Sequence, residues 1–243
     1  MGGGLPRRQL GRLSRLPVVH AVVVADGHTP DRAALDRAWP DWQNGVVLVV
    51  AADAGAVGAE ALGLAIDLVV GDGDSLGPAG VARFRAAGVE VRLSPAEKDE
   101  SDTELAMLAC LDRGARRITL LGAFGGERLD HAVANLSLLA MPELEALDVS
   151  ALDERSRVRL LQAAGKPASL ALPGRVGDLV SLLPFGAGAD DITTEGLAYG
   201  LEGEPLPFGH VRGLSNVRLA EVAHVRLGRG RLLVIESPAT LSE

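Results

Sequence analysis

Apolar and polar positions divide this chain into two textures. Up to about residue 152, short strand-like stretches recur: Val18–Ala25, Val46–Ala52, Ile66–Val70, Val89–Leu93, Ile118–Leu121 and Leu147–Leu152. Continuous β-branched runs such as Val18–Ala25 and Val46–Ala52 mark strands buried on both faces. Helices are expected between them. Thr29-Pro30-Asp31 opens one to about Arg37, with proline at a first-turn position. Others run from Asp53-Ala-Gly55 to Leu62, over Pro78–Ala87, over Asp102–Arg113 and over Leu129–Leu139. Strands alternating with helices in this way predict a parallel sheet with helices on both faces.

After Asp153 the pieces shorten and Gly and Pro separate them. Val158–Leu161, Ser169–Leu172, Leu179–Pro184, Asp191–Thr194, His210–Val211, Glu221–Leu227 and Arg231–Glu236 read as strands of an antiparallel unit. The expected architecture is α/β: a three-layer α/β/α domain with a mainly parallel sheet, then a smaller all-β sandwich domain. The expected boundaries are a loose leader over 1–15, the α/β domain over 16–155 and the β domain over 156–243.

Composition narrows the function. A formal net charge of −8 argues against general nucleic-acid or anionic-membrane binding. Cys110 is the single cysteine, which leaves no disulfide framework or cysteine-based zinc site and fits a small buried helix residue. No apolar run reaches membrane-span length. Arg7-Arg8 through Arg15, then Leu16–Ala25, has the outline of a secretion signal. His20 interrupts that run and Asp26-Gly27 closes it like a strand end, so a cytoplasmic location is expected.

Chemistry gathers where the parallel strands end, the edge at which open α/β sheets bind ligands. Asp53 follows the second strand, Asp72 and Asp74 the third, Asp99 and Asp102 the fourth, and Asp130 the fifth. Asp72 and Asp74, ionised about 5 Å apart at an effective dielectric near 20, would repel by roughly 3 kcal/mol. A cation between them removes that cost, and Mg²⁺ takes one or two carboxylates with phosphate oxygens. The same Gly-Asp-Gly-Asp-Ser composition also makes a plain tight turn, and Asp102 and Asp130 also suit helix caps. Lys98 sits in the polar loop after strand four, either as a phosphate contact or as a solvated charge. The loop Gly122–Asp130, with Gly125, Gly126 and Arg128, leads into a helix whose N-terminal N–H groups suit phosphate. His131 reads as an orienting or capping residue.

Several sites are excluded. There is no G-x-x-x-x-G-K-[ST], no G-x-G-x-x-G and no G-x-S-x-G, and the Asp72 loop has Arg83 where an EF-hand needs Glu.

Four ordered segments carry a family resemblance: Asp53-Ala-Gly-Ala56, Gly71-Asp-Gly-Asp-Ser75, Lys98-Asp-Glu-Ser-Asp-Thr-Glu104 and Gly125-Gly-Glu-Arg-Leu-Asp-His131, with Asn135 one helical turn on. Thr193–Tyr199 and Arg212–Asn216 add two more. Over about residues 18–237 the chain resembles the thiamine pyrophosphokinases. The resemblance implies transfer of the β,γ-pyrophosphoryl group of ATP to the hydroxyl of thiamine, giving thiamine diphosphate and AMP. It implies Mg²⁺ on Asp72, Asp74 and Asp102, with Asp130 joining them in catalysis. Asp53, Lys98, Ser101, Gly122, Gly125, Gly126, Arg128, His131 and Asn135 would line the nucleotide. Thr194, Ser215 and Asn216 would contact thiamine. It also implies a homodimer whose sites lie between subunits. Gly73, Ser101, Glu127 and Ala198 depart from the family's usual residues, and no aromatic follows Asn216. Two other functions compete: a pyrophosphokinase acting on a hydroxymethylpterin, and a non-catalytic thiamine or nucleotide sensor.

Overall fold

The computed structural model describes residues 19–239; the leader expected over 1–15 and the start of the first apolar run lie outside them. Six strands form the parallel sheet: β1 (His20–Val24), β2 (Val46–Ala52), β3 (Leu68–Gly71), β4 (Glu90–Leu93), β5 (Arg117–Leu121) and β6 (Asp148–Leu152). Their spatial order is β6-β5-β1-β2-β3-β4. The connecting helices are α1 (Arg32–Ala38), α2 (Gly55–Ala61), α3 (Gly77–Ala86), α4 (Asp102–Asp112) and α5 (Leu129–Leu138). Asp31, expected inside α1, is its N-cap, and its carboxylate accepts from the Ala34 N–H at 3.2 Å.

The strand alternation decides which helix packs where. Val22, Val24 and Val49 face Leu35, Trp39 and Leu62, while Ala51 and Val69 face Phe84, so α1–α3 cover one side. Ala21, Val23, Val50 and Leu120 face Met107 and Cys110 of α4 on the other. Cys110 is fully buried, and burial pushes its thiol up to about 12. The chain steps outward from β1 to β4 and then returns through α4 to β5. The switch in direction therefore lies between β1 and β5, where such sheets open a crevice.

A tight turn over 153–156 reverses the chain into β7 (Arg157–Ala163), antiparallel to β6. The rest is antiparallel: β8 (Ala168–Pro173), β9 (Leu179–Pro184), β10 (Ala189–Glu195), β11 (Glu202–Leu206), β12 (Asn216–Val217) and β13 (Val222–Ser237). The two strands expected at 221–227 and 231–236 are one strand, β13. Its first half pairs with β8 and β10, its second with β7 and β9. Gly228 and Gly230 make the switch possible. A Cβ on Gly228 would stand 2.4 Å from Asp191 Oδ2, and one on Gly230 2.4 Å from the Gly188 carbonyl. Gly230 also has φ +98°. A strand that bends at glycines and changes partners joins two sheets over one core, here Leu172, Leu182, Ile192, Val225 and Leu232. His210 and Val211 lie between two turns rather than in a strand. β11 escapes propensity because Glu202-Gly-Glu-Pro-Leu206 holds glycine and proline; as an edge strand it tolerates both.

Candidate active site

The crevice is built from strand ends upward. Asp53, at the end of β2, is buried and holds the left-handed φ of +42°. Its carboxylate accepts from the backbone N–H groups of Leu76 (3.2 Å) and Ser75 (3.4 Å), which ties the β3 loop to β2. Gly71 closes β3 with φ +150°. A Cβ there would lie 3.0 Å from the Asp53 Cβ and 3.2 Å from the Asp102 Cγ, so the absence of a side chain lets these carboxylates approach. Asp72 Oδ1 accepts from the Asp74 N–H at 3.0 Å, and the Ser75 hydroxyl donates to Asp74 at 3.1 Å.

One oxygen from each of Asp53, Asp72 and Asp74 lies within 4.8 Å of the others. Asp102, at the first position of α4, meets Lys98 Nζ at 3.0 Å; Asp72 lies 3.9 Å from the same nitrogen. Asp102 Oδ1 is sealed from solvent without a hydrogen bond of proper geometry. The like charges show in the titrations. Burial, then Asp74 and Asp102, push Asp53 up to about 6 against the pull of its two N–H donors. The Ser75 hydroxyl, which donates to it, is the largest influence holding Asp74 below the usual carboxylate range.

On the far side of β1, the glycine loop after β5 is stitched to the loop after β1. The Gly27 N–H donates to the Gly122 carbonyl and the His28 N–H to the Phe124 carbonyl, both at 2.9 Å. Gly122 has φ +65°, and a Cβ there would stand 2.2 Å from the Ala25 carbonyl. Asn135, buried on α5, donates to the Ala123 carbonyl at 2.9 Å and so holds this loop from behind. Arg128 and Asp130 are exposed and pair with each other; among the described residues Asp130 does not join the acid cluster. Ser101 caps α4, accepting from the Glu104 N–H at 3.2 Å. Asp99 is exposed.

Sequence reasoning took Asp26 only as a strand end and not as a site residue. It ends β1 between the two halves of the crevice, and burial raises its carboxyl first, with His131 opposing and Asp74 and Asp102 adding to the shift. Its signal was the rule already applied to the other strands, a carboxylate at a carboxyl end.

The two β-domain segments meet in one turn. Thr194 Oγ1 accepts from the Leu201 N–H at 2.9 Å. The Asn216 carboxamide accepts from the Tyr199 N–H at 2.9 Å and donates to its carbonyl at 2.7 Å. Ser215 is exposed with φ +56° beside Ser181. Thr194 and Asn216 thus shape the backbone that presents Tyr199, which is 72% exposed. No hydrogen bond or ion pair joins these residues to the acid cluster within the described chain.

Residues 40–150 match the family model described as "Thiamin pyrophosphokinase, catalytic domain". Residues 170–232 match "Thiamin pyrophosphokinase, vitamin B1 binding domain". The chain belongs to the thiamin pyrophosphokinase family. The thiamine pyrophosphokinase of Bacillus subtilis (strain 168) is 24% identical over 199 residues, 82% of this chain and 86% of that one. The Bacillus subtilis thiamine pyrophosphokinase crystal structure superposes with a TM-score of 0.76 at 21% identity, covering 90% of this chain and 99% of that one. A family member from Enterococcus faecalis gives 0.73 at 25% identity, over 90% and 98%. The thiamin pyrophosphokinase of Candida albicans gives 0.71 at 16%, over 91% and 89%. In this family frame, the acid cluster and the glycine loop fall in the part matched as catalytic. The Tyr199 turn falls in the part matched as vitamin B1 binding.

Proposed function

We propose that this chain transfers the pyrophosphoryl group of ATP to the hydroxyl of thiamine, releasing AMP and thiamine diphosphate. The observation that carries the reading is the convergence of Asp53, Asp72 and Asp74 beside Asp102 and Lys98, opposite a glycine loop stitched to β1. Pyrophosphoryl transfer needs mainly positioning and neutralised charge, which this crevice supplies.

The acids fit Mg²⁺: all donors are oxygens, those of Asp53, Asp72 and Asp74 lie within 4.8 Å of one another, and Asp102 adds a buried oxygen that Lys98 Nζ faces at 3.0 Å. Asp72, Asp74 and Asp102 would hold the ion, with Asp53 close enough to share it. Bound there, Mg²⁺ supplies charge neutralisation at the phosphates. Lys98 and Arg128 add positive charge at the phosphates, and the glycines let backbone N–H groups approach them. Asp74 and Asp102 are the candidates to take the thiamine hydroxyl proton. Residues 16–155 form the nucleotide unit and 156–243 the thiamine unit. Because no hydrogen bond or ion pair joins the Tyr199 turn to the acids among the described residues, a second copy completing the site in a homodimer is part of the reading. No described helix is long and apolar enough to cross a membrane, and the lone buried thiol fits the cytoplasm.

The test is AMP release from Mg-ATP with thiamine, with hydroxymethylpterin and with neither, alongside Asp74→Asn. Release only with the pterin replaces the substrate. Ligand binding without AMP replaces the enzyme by a sensor.

A further inference from the structure

Glu154 stands at the carboxyl edge of the sheet, two residues past the end of β6, and the proposed reaction gives it no part. We infer that it accepts from the ribose hydroxyls of the nucleotide, an inference that rests on reading this crevice as an ATP site.

The turn over 153–156 does not need the Glu154 side chain. Asp153 Oδ1 accepts from the Arg155 and Ser156 N–H groups at 2.7 and 2.6 Å, and the Asp153 carbonyl accepts from Trp39 Nε1 at 2.8 Å. The Glu154 side chain is nevertheless only 16% exposed. Its Oε2 is sealed from solvent and has no hydrogen-bond partner among the described residues. Its Oε1 lies 3.6 Å from His28 Nε2 and 3.9 Å from Arg155 Nε, both beyond hydrogen-bond distance, and the Arg155 side chain is 80% exposed. A largely buried carboxylate without a hydrogen bond is held at a cost that a donor-bearing ligand removes.

Its neighbours place it on the crevice. His28 belongs to the loop after β1, and its N–H donates to the Phe124 carbonyl of the glycine loop. A Cβ on Gly125 would stand 2.8 Å from the His28 Cβ, so the bare backbone there lets His28 lie against that loop. Glu154, His28 and the glycine loop therefore follow one another along the edge, beside the switch between β1 and β5. The strand order β6-β5-β1-β2 puts three spacings between β6 and β2, which carries Asp53. That is about 14 Å, comparable with the length of an extended nucleoside triphosphate. A triphosphate seated at the acids and running along the glycine loop brings its sugar towards Glu154.

The chemistry selects the sugar. A carboxylate repels phosphate, which belongs at the other end with Lys98. Ribose offers two adjacent hydroxyl donors and no charge, and an acidic side chain near the switch point takes ribose hydroxyls in other parallel-sheet nucleotide sites.

The test is calorimetric titration of the full chain, without thiamine, by the Mg²⁺ complexes of ATP, 2′-deoxy-ATP, 3′-deoxy-ATP and GTP. The wild type is expected to bind at least one deoxy form about tenfold more weakly than ATP, the scale of one hydrogen bond to a charged group. Glu154→Ala is expected to bind ATP only as tightly as that deoxy form, and the deoxy form within about twofold of the wild type. Glu154→Gln keeps one acceptor and is expected to fall between them, a graded response that collapse of the turn would not give. Equal wild-type affinity for ATP and both deoxy forms overturns the inference, as does an ATP-to-deoxy ratio that Glu154→Ala leaves unchanged. A change confined to the ATP-to-GTP ratio assigns Glu154 to the base, and a change confined to the KM for thiamine assigns it to thiamine; either overturns the ribose contact. In all these cases thiamine-dependent AMP release still supports the proposed reaction. Absence of any nucleotide binding overturns both.

Discussion

Asp53→Asn should make this protein more stable and less active at the same time. Asp53 is almost completely buried, and its carboxyl is pushed up to about 6 by burial and by Asp74 and Asp102. An acid raised above its unfolded value near 3.8 contributes stability that is complete below that value and lost as the pH rises through about 6. A shift of about two pKa units corresponds to about 3 kcal/mol at pH 7.5. The two backbone N–H bonds that Asp53 accepts are already inside that net shift. Asparagine cannot ionise. Its advantage over the wild type should therefore be small at pH 4 and grow to about 3 kcal/mol at pH 7.5, a gain of roughly 6–12 °C for a chain of this size. Activity should fall by at least about 100-fold, because the carboxylate is removed from the charged centre. The assay is thermal unfolding in metal-free buffer at pH 4, 6 and 7.5, beside AMP release. A melting difference that does not change with pH would refute the electrostatic account of the crevice.

Three further outcomes follow from the same structure. Glu236→Gln leaves Arg157, Arg159 and Arg218 without their shared carboxylate; about 3–5 kcal/mol of stability should be lost, measured by urea unfolding. His20 is buried between the Asn44 carbonyl and Thr119 Oγ1, and burial lowers its pKa below 6.5. Its contribution is present above the unfolded value near 6.5 and lost on acidification, so the unfolding free energy should fall between pH 7.5 and 5.5, and less steeply in His20→Asn. Gly122→Ala forces a methyl 2.2 Å from the Ala25 carbonyl at φ +65°; both the melting temperature and nucleotide affinity should drop, seen by calorimetry.

The parallel half was legible because its central strands are buried on both faces, which leaves unbroken runs such as Val46–Ala52, observed with the bounds expected, whereas the edge strand β4 is largely exposed. The β half was less so. The fusion of two expected strands into β13 depends on Gly228 and Gly230 meeting β10, a long-range approach that local pattern does not carry. The β11 strand contradicts its own propensities and is held by pairing with β10. At the site, the residue types were readable but their partners were not. Spacing along the chain groups Asp72 with Asp74. That Asp53 converges with them while Lys98 takes Asp102 follows from the positions of β2 and α4. Thr194 and Asn216 carry polar groups that look free in sequence, yet backbone N–H and carbonyl groups already occupy them.

The measurement that bears most directly on the central claim is AMP formation by the purified full chain from Mg-ATP, with and without thiamine, in the wild type and Asp74→Asn. Thiamine-dependent AMP, stoichiometric with thiamine diphosphate and abolished in Asp74→Asn, is the predicted result. AMP formation that is indifferent to thiamine, or that survives in Asp74→Asn, would contradict it.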